Sequence, residues 1–219
     1  MFYDIDTQKE VVVVFVDYDG TITDLDTFDV LVRTYAGARF WEDLEEKLSA
    51  GAMTLREVLS AQAAHVRVPL DEADALLASR TRFDPSFAPF VHFCEERGYE
   101  LTVVSSGVQP LIDRAFERNG LARVRVLANG IDTSEEGWRF RFRDASDNGH
   151  DKAAAVRAAN AAGKYTVYIG DGPSDFEAAV AARQRYAKAG RGLERYLSEQ
   201  AIPFTPFTQF TEIEASIGR

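Results

Sequence analysis

Cysteine is almost absent: Cys94 is the only one in 219 residues, so no disulfide forms within the chain, which suits a cytoplasmic setting. Histidine is scarce too. His65, His92 and His150 show no transition-metal ligand spacing and read as structural or surface residues. Basic charge is in deficit, with 25 Lys plus Arg against 35 Asp plus Glu and a net charge of −10. That balance argues against a nucleic-acid or anionic-membrane partner, either of which needs clustered positive charge. Long apolar runs are missing: the longest, Val11 to Val16, is six residues, far short of the roughly 20 that span a bilayer. The N-terminal MFYDIDTQKE is acidic and has no apolar signal core. Hydrophobic residues at 46% and charged residues at 27% are ordinary globular values, so disordered and collagen-like classes fall away. The length fits one large domain, or a core with a small insertion.

Strand and helix signals alternate through most of the chain. Val11–Val16 (VVVVFV) is a continuous β-branched run, which predicts a strand buried on both faces. Leu101–Val104 and Thr166–Ile169 read the same way, with weaker strand signals at Val124–Leu127 and Tyr186–Ala189. Helical stretches lie between them at Gln109–Arg118, Lys152–Ala162 closed by Gly163, and Ser174–Ala182. This alternation predicts an α/β fold with a doubly wound parallel sheet and right-handed crossovers. One segment interrupts it. From about Thr27 to Arg82 only helical periods occur: Phe28–Tyr35, Phe40–Leu48, Leu55–Val66 with Thr54 as a cap, and Asp71–Arg82 after Pro69. These predict a small helical lid over the sheet, with residues 1–26 and 83–219 forming the core and 27–82 the cap; helices simply flanking the sheet are the alternative. Asn129-Gly130 is a turn signal. Trp138–Arg143 alternates aromatic and basic residues, as a solvated strand face over aromatic packing would; a phosphate-contacting strip is the less favoured reading.

Four sites carry chemistry. Asp17-Tyr18-Asp19-Gly20-Thr21 leaves the first buried strand, and ligands of open α/β sheets bind outside the carboxyl ends of strands. Gly170-Asp171-Gly172-Pro173-Ser174-Asp175 leaves another buried strand and supplies two more carboxylates. Four carboxylates at neighbouring strand ends repel one another and call for a cation; oxygen-only donors in turns suit Mg2+. Ser105-Ser106-Gly107 after the Leu101–Val104 strand reads either as an anion cradle of hydroxyl and backbone N–H groups or as a plain helix N-cap. Lys152 opens a helix, where a cation is disfavoured by the dipole; it is either a solvent-facing residue or one retained for a function.

Taken together, Asp-x-Asp, Ser, Lys and Gly-Asp-Gly-x-x-Asp in this order resemble the motif set of the haloacid dehalogenase-like (HAD) superfamily of phosphotransferases, over essentially the whole chain. The resemblance implies a Rossmann-like core with a C1-type helical cap between the first two motifs. It implies Asp17 as nucleophile and Asp19 as general acid and base. Ser105 and Lys152, with Ser106, would bind the transferring phosphoryl group. Mg2+ would sit on Asp17, the main-chain carbonyl of Asp19 and Asp171, with Asp175 as ligand or support. A capped core implies a small phosphorylated metabolite as substrate.

Within the superfamily the chain is similar to the subgroup holding phosphoserine phosphatase and the methionine-salvage phosphatase of 2-hydroxy-3-keto-5-methylthiopentenyl-1-phosphate. Asp26, nine residues after Asp17, falls where the phosphoserine enzymes carry a glutamate for the substrate amine. Their cap arginine for the substrate carboxylate falls near Ser60, one helical turn from Arg56. The C-terminal runs Gly192–Gln200 and Pro206–Ile213 look more like the salvage enzyme, although the cysteine-rich insert of some of its members is missing. The resemblance implies a salvage-type phosphatase first, a phosphoserine phosphatase second and a non-catalytic metabolite-binding module last; transfer to acceptors other than water stays open. A homodimer is compatible with the sequence, which does not decide oligomeric state.

Overall fold

Val12–Val16 forms strand β1, and all five of its side chains are buried. Its β-branched residues favour the extended backbone, and burial on both faces removes any need for polar alternation. A computed structural model of the chain describes residues 10–218 and places β1 near the centre of a sheet; the acidic N-terminal stretch up to residue 9 lies outside the described residues. β1 pairs in parallel with β2 (Glu100–Val108) on one side and β5 (Tyr165–Gly170) on the other. Beyond β2 come β3 (Arg125–Asp132), parallel, and β4 (Arg139–Arg141), antiparallel. Beyond β5 come β6 (Gln184–Lys188) and β7 (Thr205–Phe207), both parallel. The order is β4-β3-β2-β1-β5-β6-β7, the doubly wound arrangement that the alternating pattern predicts. No helix among the described residues is long and apolar enough to cross a membrane.

Between β1 and β2 lie α1 (Thr27–Tyr35), α2 (Ala38–Ser49), α3 (Leu55–Ala63), α4 (Leu70–Arg80) and α5 (Phe87–Arg97). The first four are the predicted helical insert, and α3 opens on a full capping box between Thr54 and Glu57. The fifth carries no clear sequence signal, because Pro89 sits inside it; in the first turn a missing N–H costs little. On the other strands' connections lie α6 (Gln109–Arg118), α7 (Lys152–Ala161), α8 (Phe176–Ala181), α9 (Gly192–Glu199) and α10 (Phe210–Ile213). One apolar cluster packs α5, α6 and α10 against one sheet face, and a second packs α7, α8 and α9 against the other. A third joins the insert to the core through Val108, Leu111, Ile131 and Trp138.

Two local expectations are corrected. Asn129-Gly130 is no turn but the middle of β3, where Gly130 pairs with Arg141. The Asn129 side chain stitches the sheet, donating to the Ser106 carbonyl at 2.8 Å and accepting from the Arg143 N–H at 3.0 Å. The chain reverses instead at Ser134–Gly137. Ser105 is likewise no N-cap: β2 runs on irregularly to Val108, which is the residue before α6. Trp138 is buried, whereas Arg139, Arg141 and Arg143 face solvent, in line with aromatic packing beneath a wetted strand.

Candidate active site

β1 ends at Val16, and the Asp17 N–H is held by the Ile169 carbonyl of β5 at 2.9 Å, so the two acidic loops start side by side. Gly20 turns the first loop with φ +76°, a conformation strained for any residue with a side chain. A Cβ there would lie 2.2 Å from Oδ2 of Asp171, so the glycine also makes room for the second loop's carboxylate.

Lys152 is the electrostatic hub. Its Nζ donates to Asp17 Oδ1 at 2.7 Å, to Asp175 Oδ1 at 2.8 Å and to Ser174 Oγ at 2.9 Å, and the residue is 3% exposed. Burial works against its charge, but Asp17 and Asp175 more than offset that and hold the ammonium well above its ordinary pKa. This resolves the oddity of a lysine opening a helix. Asp151 caps α7 by accepting from the Ala154 N–H at 2.9 Å, and Lys152 reaches inward.

Asp175 is fully subscribed. Oδ1 accepts from Lys152 and from the Tyr168 hydroxyl at 2.7 Å, and Oδ2 accepts the main-chain N–H groups of Asp171 and Gly172, both at 3.0 Å. Burial opposes its charge, yet Lys152 and these donors hold its carboxyl below the ordinary range. Asp17 and Asp171 are the reverse. Burial and then Asp175 push Asp17 well up, Lys152 notwithstanding, and the same two causes push Asp171 up to about 7. Carboxylate oxygens of Asp17, Asp171 and Asp175 lie within 4.8 Å of one another, with no nitrogen or sulfur donor in the set. Two acids disfavouring their own charge beside an all-oxygen cluster fit a hard divalent cation such as Mg2+.

Asp19 faces the cavity from the other side. Its Oδ1 accepts both the N–H and the hydroxyl of Thr27 at 2.8 and 2.6 Å, and Oδ2 lies 3.4 Å from Ser105 Oγ. Burial and the nearby Asp26 raise it to about 7, against the pull of the Thr27 bonds. A carboxyl that exchanges its proton near neutrality is suited to acid–base work. Ser105 is buried, and its Oγ accepts the Gly107 N–H at 2.9 Å. Ser106 Oγ is turned to the Asn148 carbonyl at 3.0 Å.

Asp17, Asp19, Ser105, Ser106, Lys152, Asp171 and Ser174 line one cavity of about 410 Å³, within the range of small-ligand sites, with Asp175 and Tyr168 behind its wall. The helical insert supplies its opposite wall: Phe28, Leu48, Leu55, Val58 and Leu59 with Asp29, Glu45 and Gln62. Asp26 lies in the cavity as expected, where it also caps α1 by accepting the Asp29 N–H at 2.9 Å. Arg56 is not brought to the cavity. Its guanidinium donates to the Asp144 carbonyl at 2.6 Å and stacks 4.2 Å from the Phe142 ring centroid, so it ties the insert to the core. Ser60 is exposed, bonded to the Arg56 carbonyl, and also absent from the cavity. Thr27, Tyr168, Ser174, Gln62 and Arg191 take part without having been singled out in the sequence. Arg191 follows β6 and Ser174 sits in the Gly170–Asp175 loop, so the strand-end rule points to both; Thr27 and Tyr168 bond to Asp19 and Asp175, only 8 and 7 residues away, but nothing in their residue types marks those bonds, and Gln62 has no local signature.

A doubly wound sheet with paired acidic loops at its strand ends, a buried lysine between them and a helical wall opposite defines a hydrolase of the phosphoryl-transfer type. The haloacid dehalogenase-like hydrolase family model matches residues 14–179, and the chain belongs to this family, as an enzyme of its phosphatase branch. Pdp3-interacting factor 1 of Schizosaccharomyces pombe is 30% identical over 97% of each chain. The 2-hydroxy-3-keto-5-methylthiopentenyl-1-phosphate phosphatase of Geobacillus thermodenitrificans is 30% identical over 96% of this chain and 97% of its own. Polyol phosphate phosphatase PYP1 of Saccharomyces cerevisiae is 28% identical over 94% and 92%. A phosphoserine phosphatase structure with a phospho-aspartyl intermediate analogue superposes with a TM-score of 0.73, covering 96% of this chain and all of its own; at 19% identity it shares the fold.

Proposed function

We propose that this protein is a Mg2+-dependent phosphatase of a small phosphorylated metabolite, working through a phosphorylated Asp17. The observation that carries it is the Asp17–Lys152–Asp175 triad next to Asp171, with Asp19 across the same cavity. Residues 1–26 and 83–219 act as the catalytic core and 27–82 as the cap.

An oxygen of Asp17 attacks phosphorus while the ester P–O bond breaks, and Asp19 gives its proton to the departing alkoxide. Asp19 then takes a proton from the water that cleaves the aspartyl-phosphate. Lys152, Ser105 Oγ and the Ser106 N–H hold the phosphoryl oxygens, and Lys152 also fixes the orientation of Asp17. Mg2+ held by Asp17, Asp171 and the Asp19 main-chain carbonyl, within an acidic set that Asp175 organises, would neutralise charge between nucleophile and substrate. The helical wall excludes water from the reacting atoms.

The leaving group that fits this cavity is uncharged, part polar and part apolar. Among the described residues Lys152 and Arg191 are the only cationic ones lining it, and neither belongs to the helical wall. That speaks against phosphoserine, whose carboxylate needs a cation there. The keto and hydroxyl oxygens and the methylthio tail of 2-hydroxy-3-keto-5-methylthiopentenyl-1-phosphate match a wall of carboxylates, one amide and five apolar residues. The test is phosphate release from this ester, from p-nitrophenyl phosphate and from phosphoserine, with Mg2+, with EDTA and in Asp17→Asn. Turnover that survives both EDTA and the substitution overturns the mechanism. Preference for phosphoserine overturns the substrate reading.

A further inference from the structure

Gln62 stands apart from the rest of the helical wall. It occupies the last turn of α3, is 1% exposed and lines the cavity, yet its Nε2 has no hydrogen-bond partner among the described residues. A buried amide N–H without a partner has lost its water and gained nothing in return, so such a group is normally satisfied by something the protein binds. Around the same cavity stand Asp26, Asp29 and Glu45. They feel one another's charge: burial, then Asp26, with Glu45 adding to it, push Asp29 up to about 8. The wall thus offers one strong donor and several acceptors in a space otherwise lined by Phe28, Leu55, Val58 and Leu59.

A ligand group complementary to that set must both accept and donate. A hydroxyl does both: its oxygen accepts from the amide, and its proton goes to a carboxylate. An ammonium can only donate and would leave Nε2 unmet. A carboxylate can only accept and would add a further negative charge to a group of acids that already repel one another.

We propose that Gln62 is a specificity-determining residue that reads a hydroxyl or keto oxygen on the leaving group, with the Asp26, Asp29 and Glu45 carboxylates taking the hydroxyl proton. The substrate class is therefore a phosphate monoester of an uncharged, oxygen-bearing carbon chain. This inference rests on the phosphatase reading above. It predicts discrimination against the matching ester that lacks those oxygens, because a site built around a polar partner penalises its absence far more than an apolar pocket penalises a missing methylene.

The test compares kcat/KM for ribitol 5-phosphate and n-pentyl phosphate, two five-carbon esters, in wild type and Gln62→Leu, with phosphoserine as a third arm. In wild type the ribitol ester is expected to be preferred by more than about tenfold, and Gln62→Leu is expected to reduce that ratio by about tenfold or more. A residue that merely packs would lower both esters together and leave the ratio unchanged, which would overturn the proposal. A wild-type ratio near one overturns it without any variant, as does preference for phosphoserine that Gln62→Leu leaves intact. Should the leucine variant unfold, Gln62→Met keeps the volume and reads the same ratio. If wild type hydrolyses none of the three esters with Mg2+ present, the small-metabolite phosphatase reading itself has failed, and this inference falls with it.

Discussion

The two walls of the cavity are built on opposite principles. On the core side the charged atoms are matched to protein partners: Lys152 has three acceptors, Asp175 four donors, and Asp19 is held by both polar groups of Thr27. On the insert side Asp29, Glu45 and the Gln62 amide face the cavity with fewer fixed partners among apolar neighbours. The difference separates tasks. Phosphoryl transfer needs groups placed in advance and unable to move, because preorganised charge costs nothing at the moment of reaction. Substrate selection needs groups that find their partners only when the substrate arrives.

Removing the proposed nucleophile should break the core wall most completely: Asp17→Asn is expected to lower kcat by at least about 10⁴-fold in a phosphate-release assay, since groups acting as one unit fail together. Next comes Lys152→Met, which leaves Asp17 and Asp175 buried without their shared cation. Urea unfolding at pH 7 should show a loss of about 3–5 kcal/mol, together with nearly complete loss of activity. An unchanged midpoint would contradict the hub role.

The acids also set a pH dependence. Asp19 and Asp171 have carboxyls raised to about 7, so in metal-free protein the folded state binds more protons than the unfolded chain from about pH 4 to about pH 7. Stability from these groups is complete below the unfolded pKa and is lost as pH rises through 7. The lowered Asp175 works the other way, losing its contribution only as pH falls below about 4. Adding Mg2+ should therefore raise the melting temperature more at pH 8 than at pH 5, and equal shifts would contradict the acidic cluster as its site. Thr27→Val removes one of the two bonds holding Asp19 and keeps the other. An approximately tenfold drop in kcat is expected. Because that bond favours the charged form, its loss should also move the alkaline fall-off in activity to higher pH. The smallest effect belongs to Arg56→Ala, on the insert side but outside the cavity. It should cost about 1–2 kcal/mol of stability through the lost Asp144 and Phe142 contacts, while KM shifts by less than about threefold, as read by steady-state kinetics.

Legibility in the sequence divides along the same line. β1 could be read from five consecutive β-branched and aromatic residues, and the loops of Asp17 and Asp171 from their place behind such runs. α1 to α4 were readable to within a few residues from their apolar period and the Thr54 cap. α5 was hidden by Pro89, and β7 by Pro206 in an edge strand, where a missing N–H goes unpunished. Asn129-Gly130 looked like a turn because local preference cannot register that Ser106 and Arg143 await its side chain. Arg56 looked like a ligand-binding residue because its distance from the motif was right while its direction was unknowable.

By itself the sequence determined where the acidic groups of the core wall lie, because a short loop after a buried strand constrains its side chains to the strand's end. Only the tertiary structure decided that Lys152 bridges Asp17 and Asp175, 135 and 23 residues away along the chain. It alone turned Arg56 outward and left the Gln62 amide without a partner in the cavity. Those outcomes depend on how helices pack against one another, and helical periodicity tells which face is buried but not what that face will meet.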